Sequence, residues 1–286
     1  MSIDAPLDAN AIEAGLQTRR VGKHVLCFGQ LSSTCDTAYD AVATSGRAAD
    51  GLAVFAESQT AGRGRRGRKW HSPSGANLLC SVALAAEPRP APTVWTVAAG
   101  LAVAEAVERS LGLNCQVKWP NDVYLDGCKL AGVLTENRQS PAGPVLVVGV
   151  GINVNAAPPA ELVDHPAISL AAAAGAGAVS RLPLARALLR RLDAWLADLS
   201  DDLPAASCRL RNAFTARCYL TGRQVTLATA AGQVAGIVTA LDPLGSFELR
   251  QADGRAVALP AAEVTLKAVD ADTGAEDSQA SDNAFD

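Results

Sequence analysis

Along the first two thirds of the chain, short apolar runs alternate with stretches of helical periodicity. Apolar runs that end at turn residues predict strands, and these lie at residues 25–28, 52–57, 77–84, 116–119, 123–125, 129–136 and 145–154. Apolar residues at helical spacing predict helices at residues 8–17, 37–45, 93–110 and 184–199. Thr93 is the predicted cap of the third helix. Strands mixed with a few helices predict an α+β architecture.

Beyond Arg223 the pattern changes to short strands alone. The predicted strands are residues 225–228, 234–240, 246–250, 256–259 and 263–267. Short strands separated by tight turns are typical of a small β-barrel. Residues 270–286 are acidic and nearly without apolar side chains, so we expect them to be disordered. Residues 158–178 have little pattern and are predicted to form a loop with a short helix.

The most apolar strand, residues 145–154, carries glycine at positions 149 and 151. Glycine within a strand indicates that another part of the molecule approaches the backbone closely. Two alternatives remain open for this strand. It is either buried within one chain or it forms a sheet-to-sheet homodimer.

Composition narrows the possible function classes. The net charge of −4 argues against a general binder of polyanions. Seven cysteines without a C-x-x-C pair predict reduced thiols and a cytoplasmic protein, and three separated histidines form no metal-ligand spacing. Without a signal peptide or an apolar run of about 18 residues, no membrane span is expected. Residues 1–24 are too few for a multi-helix DNA-binding module.

A basic loop follows the second predicted strand. Between positions 63 and 68 it has four arginines and two glycines. Glycine disfavours helices and strands, so we expect a mobile loop. Clustered guanidinium groups repel one another, but they bind phosphate or carboxylate through paired hydrogen bonds. A solvated basic loop or a nucleic-acid patch remains the alternative at this point.

Three polar islands interrupt the apolar sequence, namely Ser33-Thr34, the loop at residues 62–70, and residues 118–122 with Lys129. Together with residues 129–134 and 151–154, and in this order and spacing, they resemble the biotin protein ligase family. The resemblance implies a mixed sheet with flanking helices, a catalytic domain similar to those of class II aminoacyl-tRNA synthetases and biotin ligases. It places this domain at residues 25–217, between an extension at 1–24 and an SH3-like β-barrel at 218–268. An acidic tail occupies residues 269–286.

The resemblance also implies a two-step reaction. Biotin and ATP, with Mg²⁺, give biotinyl-5′-AMP and pyrophosphate, and a lysine of a biotin carboxyl carrier domain then takes the biotinyl group. No metal site in the protein, no nucleic acid and no membrane are implied, and a homodimer is an open alternative. Because repressor members carry an N-terminal helix-turn-helix, a monofunctional ligase is expected. The rival reading is a lipoate-type ligase, which shares the architecture and adenylation chemistry.

Site residues follow from the resemblance, position by position. Biotin contacts are implied for Ser33, Thr34, Gln59, Gly62, Arg63, Arg65, Lys129 and Gly132. Contacts to ATP or the adenylate are implied for Arg65, Arg66, Arg68, Trp70, Asn77, Asn121, Lys129 and Asn153. Catalytic roles are implied for Lys129, Arg65, Arg63 and Asp122.

Simpler roles remain open at three of these positions. Trp70 could be a core residue, Asp122 could only stabilise its turn, and Lys129 could be an exposed lysine after a hairpin. Cys35 departs from the family pattern, in which an amide side chain such as Asn often occupies this position. A catalytic thiol is not expected at Cys35, because acyl-adenylate chemistry needs no covalent enzyme intermediate.

Overall fold

The computed structural model describes residues 5–85 and 91–269. The chain forms two compact units, Met1–Tyr219 and Leu220–Asp286. The predicted disorder of residues 270–286 lies outside the described residues, as does most of the proline-rich segment after the third strand.

The first unit contains a seven-stranded mixed sheet. Its strands are β1 (Val25–Leu31), β2 (Leu52–Gln59), β3 (Leu78–Ala85), β4 (Gln116–Lys118), β5 (Asp122–Leu125), β6 (Cys128–Ser140) and β7 (Gly143–Ile152). The spatial order is β1-β2-β3-β7-β6-β5-β4. β1 and β2 are parallel, and the other neighbours are antiparallel. All seven predicted strands are therefore confirmed, although β6 extends four residues past the predicted end at 136.

Helices cover both faces of this sheet. They are α1 (Ala9–Glu13), α2 (Thr34–Ser45), α3 (Pro92–Leu111), α4 (Leu170–Ala173), α5 (Arg181–Asp201) and α6 (Leu203–Thr215). α2 packs its Ala38 and Val42 against Val54, Ala83 and Val147 of the sheet. The alternate residues Val82, Leu84 and Val148 face Ala98 of α3 and Leu192 of α5 on the opposite side. No helix in the described ranges is long and apolar enough to cross a membrane.

Helix boundaries show where local prediction was wrong. α3 begins at Pro92 with Ala91 as its N-cap, so Thr93 is not the cap. Proline suits a first helical turn because its missing N–H would have no partner there. α1 is shorter than predicted, and α6 was not predicted. Its buried residues Ala206, Leu210 and Phe214 nevertheless recur every four positions, which was a usable signal.

The central strand β7 has a partner on each side, β3 and β6. Its backbone hydrogen bonds are used within the chain, so its edges cannot extend the sheet of a second copy. Burial of this strand within one chain is therefore confirmed, while a homodimer through another surface stays an open alternative.

The second unit contains a five-stranded antiparallel sheet. Its strands are β8 (Gln224–Thr229), β9 (Gly232–Leu241), β10 (Ser246–Arg250), β11 (Ala256–Pro260) and β12 (Thr265–Val269), in the order β11-β10-β9-β8-β12. The five predicted strands are present. The last begins at Thr265 rather than 263, because residues 261–263 form a short 3₁₀ helix.

Candidate active site

A cavity of about 200 Å³ lies on the face of the first sheet that α2 covers. Its floor includes Gly149 and Gly151 of β7 and Gly132 of β6, and Gly132 pairs with Gly151 across the two strands. Ser33 and Thr34, at the start of α2, form part of one wall. Further lining comes from Gln59, Asn121, Lys129 and Asn153, from residues 63–65 and 68–71, and from Pro158, residues 162–165 and Ala167. The cavity thus joins the three polar islands of the sequence.

The predicted close approaches at Gly149 and Gly151 are confirmed. A Cβ atom at Gly149 would lie 2.6 Å from Cys35 Sγ, and one at Gly151 would lie 2.5 Å from Cε2 of Trp70. A Cβ at Gly132 would lie 3.1 Å from Cζ3 of the same indole. The paired glycines therefore provide the flat surface on which Trp70 rests at the edge of the cavity.

One corner of the cavity is a neutral hydrogen-bonding cluster. Gln59 Oε1 accepts bonds from Thr34 N (2.7 Å) and Thr34 Oγ1 (3.1 Å). Ser81 Oγ lies 2.7 Å from Thr34 Oγ1 and 3.2 Å from Cys35 Sγ. Ser33, Thr34 and Ser81 are buried. Hydroxyl and amide groups at this density supply both donors and acceptors to a neutral polar ligand.

Ser81 was missed by the sequence analysis. It pairs with Gly149 across β3 and β7, so its hydroxyl lies on the face of the sheet that Cys35 contacts. The available signal was a single hydroxyl within an otherwise apolar strand. Burial raises the pKa of the Cys35 thiol, and the hydrogen bond with Ser81 opposes this only in part. The thiol is thus protonated near neutral pH, which disfavours a nucleophilic role.

The basic loop is closed by its own backbone hydrogen bonds. Gly64 N donates to Arg68 O (2.7 Å), and Trp70 N donates to Gly62 O (3.0 Å). A short 3₁₀ turn, Arg65–Gly67, forms the tip. A Cβ at the buried Gly62 would lie only 3.0 Å from the carbonyl oxygen of Trp70, so glycine permits this closure.

The four arginines of the loop have different surroundings. Arg65 is partly buried and donates to Asn121 Oδ1 at 3.2 Å. Burial, with Arg66 and Arg68 nearby, lowers the pKa of Arg65. Arg68 also lines the cavity, whereas Arg66 does not. Arg63 reaches the lining, but its guanidinium is hydrogen-bonded to the Asp36 carboxylate, which raises the pKa of Arg63 above its usual range.

Lys129 lies in the wall formed by β6. Its Nζ is 2.8 Å from Asp122 Oδ1, and the side chains are only 13% and 15% exposed. Its backbone is held by Pro166 O, which accepts from Lys129 N at 2.8 Å, and by Ile168 N, which donates to Lys129 O at 3.0 Å. Lys129 is therefore a fixed cation at the cavity, while Asp122 lies behind it, outside the lining.

The rim formed by residues 158–167 was predicted only as a loop with a short helix. Its Leu162, Val163, Asp164 and His165 line the cavity. Burial is the main cause that lowers the pKa of His165, and the positive charge of Lys129 adds to it. The usable signal was the position of this segment directly after a predicted buried strand, where functional loops are common.

The two predicted asparagines at this end have different places. Asn153 is buried and lines the cavity. Asn77 does not line it, and its Oδ1 instead accepts from Val154 N (2.9 Å) and Ala156 N (3.2 Å). Asn77 thus supports the chain that follows Asn153. In the described part of the chain, no three His, Cys, Asp or Glu side chains come together in a metal-binding group.

Comparisons with known proteins show which family the sequence and fold resemble. The model of the biotin/lipoate A/B protein ligase family matches residues 28–155. The chain is 38% identical over 229 residues to the biotin–[acetyl-CoA-carboxylase] ligase of Mycobacterium tuberculosis. This match covers 78% of this chain and 81% of that protein. It is also 38% identical over 174 residues to the bifunctional ligase/repressor BirA of Bacillus subtilis, covering 59% of this chain. That match spans 53%, about half, of the BirA length.

Among solved structures, the biotin protein ligase from Aquifex aeolicus in complex with biotin and ATP is similar, with a TM-score of 0.72 and 27% identity. The match covers 86% of this chain and 99% of that chain.

Proposed function

Since the chain belongs to the biotin/lipoate A/B protein ligase family, we propose that it is an ATP-dependent biotin–protein ligase. In the first step biotin and ATP form biotinyl-5′-AMP and release pyrophosphate. In the second step a lysine of a biotin carboxyl carrier domain takes the biotinyl group. The M. tuberculosis relative, named a biotin–[acetyl-CoA-carboxylase] ligase, supports a carboxylase carrier as the partner.

The observation that carries this proposal is the division of one cavity into a neutral and a cationic part. Thr34 and Gln59 belong to a neutral corner that suits the ureido ring of biotin. Arg65, Arg68 and Lys129 line the same cavity and bring positive charge to it. A carboxylate that attacks an α-phosphate brings two anions together, so a site for this reaction must neutralise both.

Within the first step, each polar group has a proposed task. Asp122 holds the Lys129 ammonium in place, and Lys129 neutralises the biotin carboxylate and the α-phosphate. Arg65, kept in position by Asn121, stabilises the negative charge that grows on the phosphoryl oxygens. Trp70, resting on the glycine pair, covers the nucleotide or the adenylate.

In the second step the carrier lysine attacks the acyl carbon as a neutral amine. The new C–N bond forms as the bond between the acyl carbon and the phosphate oxygen breaks, so that AMP leaves and the amine nitrogen releases one proton to water. The mixed anhydride must be protected from water until the carrier arrives. The basic loop at residues 62–70 lies beside the cavity and is our proposed shield.

Magnesium is proposed to arrive with ATP and to screen charge on its phosphates. The Asp122 carboxylate is already paired with Lys129, and the described residues contain no group of three metal-binding side chains. Phosphate oxygens and water are therefore the proposed magnesium ligands.

Several other assignments are proposals of the same kind. We place the catalytic domain at residues 25–217, after an extension at 1–24, and an SH3-like barrel at 218–268, before a tail at 269–286. The five antiparallel strands support the barrel. A cytoplasmic location is supported by the seven cysteines, none of which forms a disulfide in the structure described. Any homodimer is proposed to form away from β7, whose edges are both paired.

The test is exchange of labelled pyrophosphate into ATP, with biotin and lipoate as parallel substrates. We expect exchange with biotin alone. Exchange with lipoate alone would show that the protein is a lipoate ligase of the same family. Without exchange in either case, the proposal fails, and binding to nucleic acid with a steep salt dependence becomes the alternative to measure.

A further inference from the structure

We propose that Asp36 is a positioning residue that anchors Arg63, so that Arg63 holds the base of the basic loop while Arg65 and Arg68 contact the anionic substrate. The inference deepens the proposed ligase function and rests on it for the substrate. It also revises the two roles expected for Arg63 from the sequence, which were a direct contact with biotin and a part in catalysis.

The anchor is a two-point contact. Arg63 Nη1 donates to Asp36 Oδ2 at 2.7 Å, and Arg63 Nη2 donates to Asp36 Oδ1 at 2.8 Å. Asp36 lies in the first turn of α2, next to the Ser33 and Thr34 wall of the cavity. Paired hydrogen bonds between a guanidinium and a carboxylate fix orientation as well as distance. A loop residue is thereby attached to a helix.

Two further charges complete the anchor. Arg138 Nη1 donates to Asp36 Oδ1 at 2.9 Å and also pairs with Glu136, while Glu136 Oε2 lies 3.5 Å from Arg63 Nη2. The Arg138 guanidinium lies over the ring of Tyr39 of α2, 5.0 Å from its centroid. An isolated surface ion pair contributes little, but a two-point pair within a network contributes more. The two cations and two anions give this cluster no net charge, so Arg63 attracts an anionic substrate only weakly.

Arg65 and Arg68 contrast with Arg63. Both line the cavity, and neither forms an ion pair with a carboxylate among the residues that the structure describes. Arg65 donates instead to a neutral oxygen of Asn121. Their charges remain uncompensated where an anion would bind. Arg63 and Lys69 form a β-bridge, and Gly64 N donates to Arg68 O. Arg65 and Arg68 therefore lie beyond the base of the loop that Arg63 anchors.

The first measurement is limited trypsin digestion without substrate, and mass spectrometry scores cleavage after Arg65, Arg66, Arg68 and Lys69. We expect Asp36→Asn to accelerate this cleavage about tenfold, from the loss of charge-assisted hydrogen bonds. Asp36→Glu keeps a carboxylate and should restore most of the protection. The matched control is Asp40→Asn, one turn further along α2, because Asp40 is exposed and forms no ion pair in the described residues. It should digest like the parent.

The second measurement compares Asp36→Ala, Arg63→Ala and the double variant in biotin-dependent pyrophosphate exchange. If Arg63 acts through Asp36, both single variants raise KM by similar factors and the double variant raises it no further. The turnover number kcat should change by less than about twofold, because ordering of the loop is required at binding.

The proposal is overturned if Asp36→Asn digests like the parent. It is also overturned if Arg63→Ala lowers kcat/KM more than about tenfold below Asp36→Ala, since Arg63 would then contact substrate directly. Absence of exchange in the parent protein would reject the ligase function but leave the digestion result, which decides the anchor alone. Circular dichroism of each variant separates these outcomes from unfolding.

Discussion

Substitution of Gly151 by alanine should damage the nucleotide side of the site with little change elsewhere. The new Cβ would lie 2.5, 2.7 and 2.9 Å from Cε2, Cζ2 and Nε1 of Trp70. Ordinary carbon contacts need about 3.5 Å, so the indole must retreat by about 1 Å. Overpacking of this kind costs about 1–3 kcal/mol. When this cost applies to the complex with ATP, kcat/KM for ATP should fall about 5- to 150-fold.

The assay is biotin-dependent pyrophosphate exchange at varied ATP, together with the melting temperature. Gly29→Ala is the matched control, because Gly29 also lies in a strand and its added Cβ meets nothing within 4 Å. In a Trp70→Ala background, Gly151→Ala should cause no further loss, since the clashing ring is gone. Parental kcat/KM for Gly151→Ala, or an equal loss with and without the indole, would show that the clash with Trp70 is not the cause.

Four further predictions follow from other contacts. Lys129→Ala should suppress pyrophosphate exchange by at least about a hundredfold, because a fixed cation at the reacting groups is lost, and normal exchange would contradict this. Arg65→Ala should release biotinyl-AMP faster in rapid gel filtration, and parental retention would disprove the shielding role. Arg181 is fully buried and donates to Glu57 Oε2 at 2.7 Å, so Glu57→Gln should reduce the free energy of unfolding by about 3 kcal/mol in urea titration. An unchanged urea midpoint would show that this pair is not needed. Because the pKa of His165 is lowered on folding from 6.5, the unfolded chain binds the extra proton and stability falls as pH drops below about 6.5. His165→Gln should flatten that decline, and identical pH profiles would oppose it.

Elements with a local signal could be predicted from the amino-acid sequence. Apolar runs between turn residues predicted strands β1–β12, and apolar residues at helical spacing predicted α5. Gly149 and Gly151 also indicated a crowded backbone before their neighbours were known. The sequence-based prediction was wrong at two places: it missed α6, although the buried residues of this helix recur every four positions, and it took Thr93 as the cap of a helix that begins at Pro92.

Which polar residues act together became clear from the folded chain. Asp36 and Arg63 are 27 positions apart, and Thr34 and Ser81 are 47 apart. Their contacts depend on the strand order β2-β3-β7, which residue periodicity does not contain. The same order places Asn77 behind the cavity and His165 at its rim. Residue type indicates which chemistry a side chain can perform, but its partners are set by strand order and register, which bring distant residues together.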